Sequence, residues 1–200
     1  MFYLGLDLGK LRDFAAFAAV EKEELVGWAP ASASPVLKVR YLERAALGTP
    51  YTRVVERMGQ LTRHSSLNGV SHLTVDATGV GVPVVESLRK AALGCRGITA
   101  VTITAGSHAR QASGTGMGEH WNVPRTDLLA GLQVLLENGE LKISKKMAEA
   151  GTLVRELMSM REGRESLNGH HDDLVMAVAL ACWQARRVRS GFGNQRLAGM

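Results

Sequence analysis

The sequence contains few of the residues that cross-link or anchor small secreted and membrane proteins. Two of its 200 residues are cysteines, Cys95 and Cys182, and without CxxC spacing they indicate neither a zinc ribbon nor a disulfide framework. No uninterrupted apolar run reaches the roughly 18 residues of a membrane-spanning helix, and no secretion signal opens the chain. We therefore expect two buried thiols in a soluble, cytoplasmic protein without a membrane partner.

Nucleotide-binding motifs are also incomplete or missing. The Gly-x-x-x-x-Gly-Lys-[Ser/Thr] phosphate loop of ATPase motors does not occur. Gly79 and Gly81 precede a predicted helix, but they lack the third glycine of a dinucleotide fingerprint and so indicate a tight turn with close helix packing. The three tryptophans form no array of the kind that single-strand binders use for base stacking.

The remaining composition is that of one basic α/β domain. Hydrophobic residues make up 46% of the chain, which is ample for a core, and the net charge is +5. A positive charge permits an acidic partner, and nucleic acid is the commonest one for a protein without membrane signals. We place the domain at residues 1–188 and expect residues 189–200 to form a flexible tail.

Hydrophobic periodicity predicts a mixed sheet flanked by helices, in which the first three strands are antiparallel and the later strands parallel. The predicted strands are 2–8, 14–20, 36–42, 70–76, 98–104 and 141–143. The predicted helices follow Pro50 and then cover 83–92, 124–136, 145–160 and 172–187. Residues 105–122 are rich in glycine and serine, so we expect a mobile loop or poorly ordered hairpin that acts as a lid or binding arm.

Three acidic positions stand out because they adjoin apolar segments. Asp7 lies in the apolar first strand, Asp76 ends the run Leu-Thr-Val, and the pair Asp172 and Asp173 opens the last helix. Singly, each has an ordinary explanation as a turn or helix cap, although capping explains only one of the adjacent pair. Together, two strand ends and a crossing helix would gather three carboxylates, a ligand set that suits Mg²⁺ or Mn²⁺.

These segments also carry a resemblance to a known family. The motifs are Gly-Leu-Asp at 5–7 with Asp13 shortly after, Val-Asp-Ala-Thr-Gly-Val-Gly at 75–81, and His-Asp-Asp-Leu-Val-Met-Ala at 171–177. The chain resembles the nuclease domain of phage terminase large subunits, which belongs to the ribonuclease H-like superfamily. The resemblance covers nearly the whole chain, and the His-Asp-Asp-Leu-Val run is its most specific element.

The resemblance implies a metal-dependent DNA endonuclease that cuts concatemeric phage DNA during genome packaging. Asp7, Asp76 and Asp172 would be the catalytic residues and metal ligands, with Asp173 as the alternative at the last position. Two Mg²⁺ or Mn²⁺ ions are implied, and His171 is a possible auxiliary residue. Many relatives have glutamate where this chain has Asp76, a change that shortens the reach but keeps the charge.

Implied partners are double-stranded DNA and a packaging ATPase, portal and small terminase subunit, in the bacterial host cytoplasm if a phage encodes the chain. Basic residues near the loop and the short strand could contact phosphates without reading sequence, although a solvated charged face is the simpler explanation. These candidates are Arg110, Arg125, Lys142, Lys145 and Lys146.

Three alternatives stay open. A resolvase of the Holliday-junction type shares the first-strand and last-helix acids and belongs to the same superfamily. An ATP-binding protein of the actin and sugar-kinase kind also begins with a Gly-x-Asp-x-Gly strand, but it needs two such domains. A catalytically silent DNA-binding module would bind duplex in a salt-dependent manner without metal.

Overall fold

The computed structural model describes residues 1–9, 14–23, 35–79, 81–113, 118–161 and 172–188, and within them it contains one eight-stranded sheet. The strands are β1 (Phe2–Asp7), β2 (Ala16–Lys22), β3 (Leu37–Arg44), β4 (Ser71–Asp76), β5 (Ile98–Thr104), β6 (Arg110–Gln111), β7 (His120–Pro124) and β8 (Leu141–Ile143). The helices are α1 (Tyr51–Thr62), α2 (Gly81–Lys90), α3 (Arg125–Glu137), α4 (Ala150–Arg161) and α5 (Asp173–Arg187).

The sheet has the order β6-β7-β5-β4-β1-β2-β3-β8 and confirms the predicted mixed topology. Strands β1, β2 and β3 pair antiparallel, whereas β4, β5 and β7 continue parallel from the other side of β1. The strand β8 pairs parallel with β3 and therefore runs in the same direction as β1. The carboxyl ends of β1, β4, β5, β7 and β8 consequently lie at one end of the sheet.

Alternating side chains divide the core into two layers. One apolar layer packs under α1 and α2, and the other packs under α3, α4 and α5. Along β1, Leu4 and Leu6 belong to the first layer, so Gly5 and Asp7 face α5. On β4, Leu73 and Val75 likewise belong to the first layer, which turns the Asp76 side chain toward α5.

Of the two alternatives predicted for 105–122, a mobile loop or a poorly ordered hairpin, the described residues show a hairpin. Residues from His120 onward form β7, and β6 pairs antiparallel with it as a short hairpin. The side chain of Val123 is fully buried under the helices, and this tertiary contact outweighs the low strand propensity of the glycine-rich segment before it. Residues 114–117 of that segment lie outside the described residues, as does the predicted tail at 189–200.

The helix α5 is the most deeply buried helix of the described structure, with 12 of its 15 residues buried. Small residues along it let the backbone approach β1 closely, and Gly5 is the point of contact. A Cβ atom built at Gly5 would overlap the carbonyl oxygen of Ala177 and lie 3.1 Å from the amide nitrogen of Ala181. Only glycine fits at this position without moving the helix.

The C-terminal end of α5 is held by basic side chains. The buried Lys22 Nζ donates hydrogen bonds to the carbonyl oxygens of Ala185 and Val188, at 2.7 and 2.8 Å. Arg187 pairs with Glu119 of the segment before β7 and stacks over Trp121, with its guanidinium carbon 4.7 Å from the ring centroid. These hydrogen bonds and the ion pair fix the position of α5 along its axis. The two cations also complement the helix dipole at its C-terminus.

None of the described helices is both long enough and apolar enough to cross a bilayer.

The close approach at Gly5 predicts a large effect for a small substitution. We expect Gly5→Ala to lower the free energy of unfolding by about 3 kcal/mol, because the added methyl group forces α5 away from β1. Chemical denaturation measures the change. The matched control is Gly151→Ala, at an exposed position of α4 where the new Cβ would lie 3.8 Å from Arg155 Nη1, an ordinary contact, and it should be neutral or slightly stabilising. Equal stabilities of the two variants would contradict the contact.

Candidate metal centre

The core of the site is a pair of carboxyl groups on adjacent parallel strands. The register aligns Leu6 with Val75, so Asp7 and Asp76 follow side by side at the carboxyl ends of β1 and β4. Asp7 is 9% exposed, and its carboxyl group lies close to that of Asp76. Burial first, and then repulsion from Asp76, raise the pKa of Asp7 well above its usual range.

The start of α5 adds two more carboxyl groups. Repulsion from Asp173 and Asp172 also raises the pKa of Asp7, and Asp173 is itself 4% exposed. The geometry of the helix contact explains this proximity. Asp7 lies two residues beyond Gly5, roughly 6.6 Å along a strand, and Asp173 lies one turn before Ala177, roughly 6 Å along a helix. The contact at Gly5 therefore brings the helix acids to the strand acids.

Asp76 is oriented by the turn that follows β4. Its Oδ1 accepts a hydrogen bond of 2.8 Å from the amide of Thr78, whose hydroxyl oxygen accepts one of 2.8 Å from the amide of Ile103. Gly79 has a φ of 64°, and a Cβ at Gly81 would lie 2.6 Å from the carbonyl oxygen of Asp76. The two glycines thus serve the tight turn and close helix packing that the sequence indicates.

Asp172 forms an ion pair with Arg125, the first residue of α3. The guanidinium Nη2 donates to Asp172 Oδ2, and Nη1 lies 3.2 Å from the sulfur of Met176. The Asp172 side chain makes no capping hydrogen bond to its own helix. Arg125 was predicted to contact DNA, and the structure places it against a candidate ligand instead of on an outlying surface.

The donor set fits a hard divalent cation. Four carboxylates from three elements supply only oxygen ligands, which Mg²⁺ and Mn²⁺ prefer. Within the described ranges, no group of three or more histidine, cysteine, aspartate or glutamate side chains is already arranged around one point as an ion cage. Asp76 and Asp172 are directed to the Thr78 amide and to Arg125, so both would have to turn toward Asp7 to share an ion.

Sequence reasoning missed Glu156 of α4, which is 6% exposed beside the same helix start. Its Oε2 accepts a hydrogen bond of 3.1 Å from the Val175 amide, and its Oε1 accepts one of 3.3 Å from Arg44 Nη1. Burial raises the pKa of Glu156 to about 7. The available signal was an acid between the apolar residues Leu153 and Leu157 of a helix.

The other predicted residues do not join the acids. Lys142 lies on β8, and Lys145 and Lys146 lie in the following turn, all exposed and roughly 14 Å from β1 across three strand spacings. Arg110 is exposed on β6, opposite Asn122. His171, predicted as auxiliary, lies outside the described residues.

Solved structures with the same fold include terminase nuclease domains. The large terminase nuclease from thermophilic phage G20c with bound zinc has a TM-score of 0.55 at 19% identity, over 92% of this chain and 81% of that one. The human cytomegalovirus terminase nuclease domain, Mn soaked, has a TM-score of 0.54 at 16% identity, over 91% and 81%. Its inhibitor-bound, Mn-soaked form scores 0.54 at 15% identity, over 92% and 82%.

No protein-family model matches the sequence, and no curated protein matches it. The structural likeness nevertheless confirms, at the level of fold, the resemblance to terminase nuclease domains that the sequence motifs indicated, and the sheet confirms the predicted mixed α/β architecture.

The acid cluster predicts that the site lowers stability when no cation is present. Asp7→Asn removes one charge from the four, so we expect it to raise the unfolding midpoint in EDTA by about 2–4 °C. Thermal unfolding followed by circular dichroism measures the shift. Glu86→Gln, at an exposed position of α2, is the control and should change the midpoint little. A lower midpoint for Asp7→Asn would show that its carboxyl group stabilises the fold.

Proposed function

We propose that this protein is a divalent-metal-dependent endonuclease that hydrolyses phosphodiester bonds in double-stranded DNA. The observation that carries the proposal is the convergence of Asp7, Asp76, Asp172 and Asp173 at one end of a ribonuclease H-like sheet. The solved nucleases with this fold were obtained with zinc or after soaking in Mn, which supports a divalent cation here.

The four acids have different roles in this proposal. Asp7 lies beside Asp76 on one side and under the start of α5 on the other, so we assign Asp7 as the ligand shared between two Mg²⁺ or Mn²⁺ ions. Asp76 would complete one ion site, and Asp172, with Asp173 as the alternative, would complete the other. When bound, such ions supply Lewis acidity to the attacking water and to the leaving oxygen of the phosphodiester.

The surrounding residues position the substrate and the ligands. The Thr78 amide donates to the Asp76 carboxylate, and the Thr78 hydroxyl oxygen accepts from the amide of Ile103 on β5. These two hydrogen bonds fix the turn that carries Asp76, and the carboxylate would turn toward a bound ion by side-chain rotation. Arg125 offsets the charge of Asp172 in the ion pair. When Asp172 turns to a bound ion, the Arg125 guanidinium would bind a DNA phosphate beside the acids. Lys145 and Lys146 lie at the same end of the sheet and would contact the backbone further along the duplex.

We further propose that the substrate is concatemeric viral DNA cut during genome packaging. The likeness to terminase nuclease domains over 92% of this chain supports this role. Because the sequence lacks a phosphate loop, the packaging ATPase would be supplied by another domain or subunit, with a portal and small subunit as further partners.

Metal-dependent cleavage is the direct test. We expect the protein to nick supercoiled plasmid in Mn²⁺ or Mg²⁺, with no cleavage in EDTA, and Asp76→Asn to reduce the rate at least about 100-fold. Agarose gel analysis of the plasmid forms measures the rate. Glu86→Gln should keep the wild-type rate.

Full activity of Asp76→Asn would reject the assigned site. Preferential cleavage of a four-way junction over linear duplex would instead favour the resolvase alternative. Salt-dependent duplex binding with no cleavage in any divalent ion would favour the silent DNA-binding module.

The basic residues beside β8 predict a salt-dependent contribution to DNA affinity. We expect Lys145→Gln with Lys146→Gln to weaken duplex binding and to reduce the slope of log affinity against log salt by about 1–2, since each lost phosphate contact removes about 0.9. Fluorescence anisotropy at several salt concentrations measures the slope. The control is Arg63→Gln with Lys90→Gln, exposed at the opposite end of the sheet. An equal change in both double variants would indicate a general charge effect.

A further inference from the structure

At the N-terminus of α5, the Asp172 carboxylate could serve either as the helix cap or as a metal ligand, and it cannot do both. The first amides of a helix have no partner within the helix, and an aspartate at the N-cap position normally accepts hydrogen bonds from the second and third of them. Asp172 occupies this position, yet its side chain makes no such hydrogen bond. A carboxylate folded back onto Leu174 and Val175 would be withdrawn from the acid cluster.

Glu156 resolves this conflict from the neighbouring helix. Its Oε2 accepts a hydrogen bond of 3.1 Å from the amide of Val175, and the neighbouring amide of Leu174 lowers the pKa of the carboxyl group slightly. These are the second and third amides of α5, which an N-cap side chain would otherwise serve. One residue of α4 therefore satisfies the helix start that Asp172 leaves uncapped.

The Glu156 carboxylate is itself held in place by the sheet. Arg44, the last residue of β3, donates to Glu156 Oε1 at 3.3 Å, and its guanidinium carbon lies 4.3 Å from the centroid of the Phe14 ring. A carboxyl group that is 6% exposed beside Asp173 costs free energy, and a purely apolar residue would avoid this cost. The two amides and the guanidinium are the compensation that the structure shows.

We propose that Glu156 is a positioning residue that caps α5 in place of Asp172 and so leaves the Asp172 carboxylate, which pairs with Arg125, available to the metal centre. This inference rests on the proposed function, because Asp172 matters here as a metal ligand. Without Glu156, the Asp172 side chain turns back to cap its own helix, and the centre loses an oxygen donor. Glutamine keeps a carbonyl oxygen as acceptor and therefore keeps most of the effect.

The test measures Mn²⁺ binding to the purified protein by titration calorimetry, alongside the rate of plasmid nicking. We expect Glu156→Ala to bind Mn²⁺ at least about tenfold more weakly, a loss typical of residues that orient metal ligands. Glu156→Gln should stay within about threefold of the wild type. The nicking rate of Glu156→Ala should recover as Mn²⁺ is raised, because its ligands are all present.

A matched control separates positioning from general loosening of α5. Glu119 anchors the opposite end of the same helix through Arg187. We expect Glu119→Ala to lower the thermal midpoint and to leave the Mn²⁺ affinity unchanged. The proposal is overturned if Glu156→Ala binds Mn²⁺ like the wild type, or if Glu119→Ala weakens Mn²⁺ binding as much.

Amide hydrogen exchange tests the cap without any metal. We expect the protection of the Leu174 and Val175 amides to fall at least about tenfold when Glu156→Ala is combined with Asp172→Ala, because neither side chain can then cap α5. Asp172→Ala alone, in which the Glu156 cap is intact, should keep most of the protection. Equal protection in the two proteins, or a tenfold loss in Asp172→Ala alone, would overturn the inference. A wild-type protein that neither binds Mn²⁺ nor nicks DNA would reject the proposed function, whereas the exchange result would still decide whether Glu156 is the cap.

Discussion

The contact between Gly5 of β1 and the backbone of α5 determines the rest of this structure. A helix normally packs on a sheet through side chains, and here a carbonyl oxygen of the helix lies where a Cβ atom would be. The contact fixes the height of α5 above the sheet, while Lys22 and Arg187 fix its position along the axis. Asp7 follows Gly5 along β1, and Asp173 precedes Ala177 along α5 by a similar length. The packing of α5 on β1 at Gly5 therefore brings the two acids together.

The same helix moderates the electrostatic cost of the site. Four carboxylates at one end of a sheet repel one another, which is visible in the raised pKa of Asp7. The N-terminus of α5 carries the positive end of the helix dipole toward them, and the cations at its other end complement the dipole there. Arg125 adds a full charge beside Asp172. The protein thus tolerates a crowded acid cluster through fixed dipoles and one ion pair.

The sequence was sufficient for the features that depend on local patterns. Apolar periodicity predicted the mixed sheet, and an acid at the end of an apolar strand predicted Asp7 and Asp76, because burial of a lone carboxylate is costly anywhere. The start of α4 was predicted five residues early, since residues 145–149 form turns before Ala150. The pairing of Arg125 with Asp172 and the cap from Glu156 depend on side chains brought together from distant segments, so periodicity could not reveal them. The missed strand β7 has the same cause, because burial of Val123 outweighs its glycine-rich surroundings.

The candidate ligands occupy positions 7, 76 and 172, so the site is also the product of very long-range contacts. Such contacts form late, because closing a long loop costs entropy before the packing compensates for it. During synthesis on the ribosome, the strand that carries Asp7 emerges long before the helix that follows Asp172. Until that helix docks over Gly5, the nascent chain has only two of its ligand-bearing elements. Any hydrolytic activity is therefore delayed until the fold is complete.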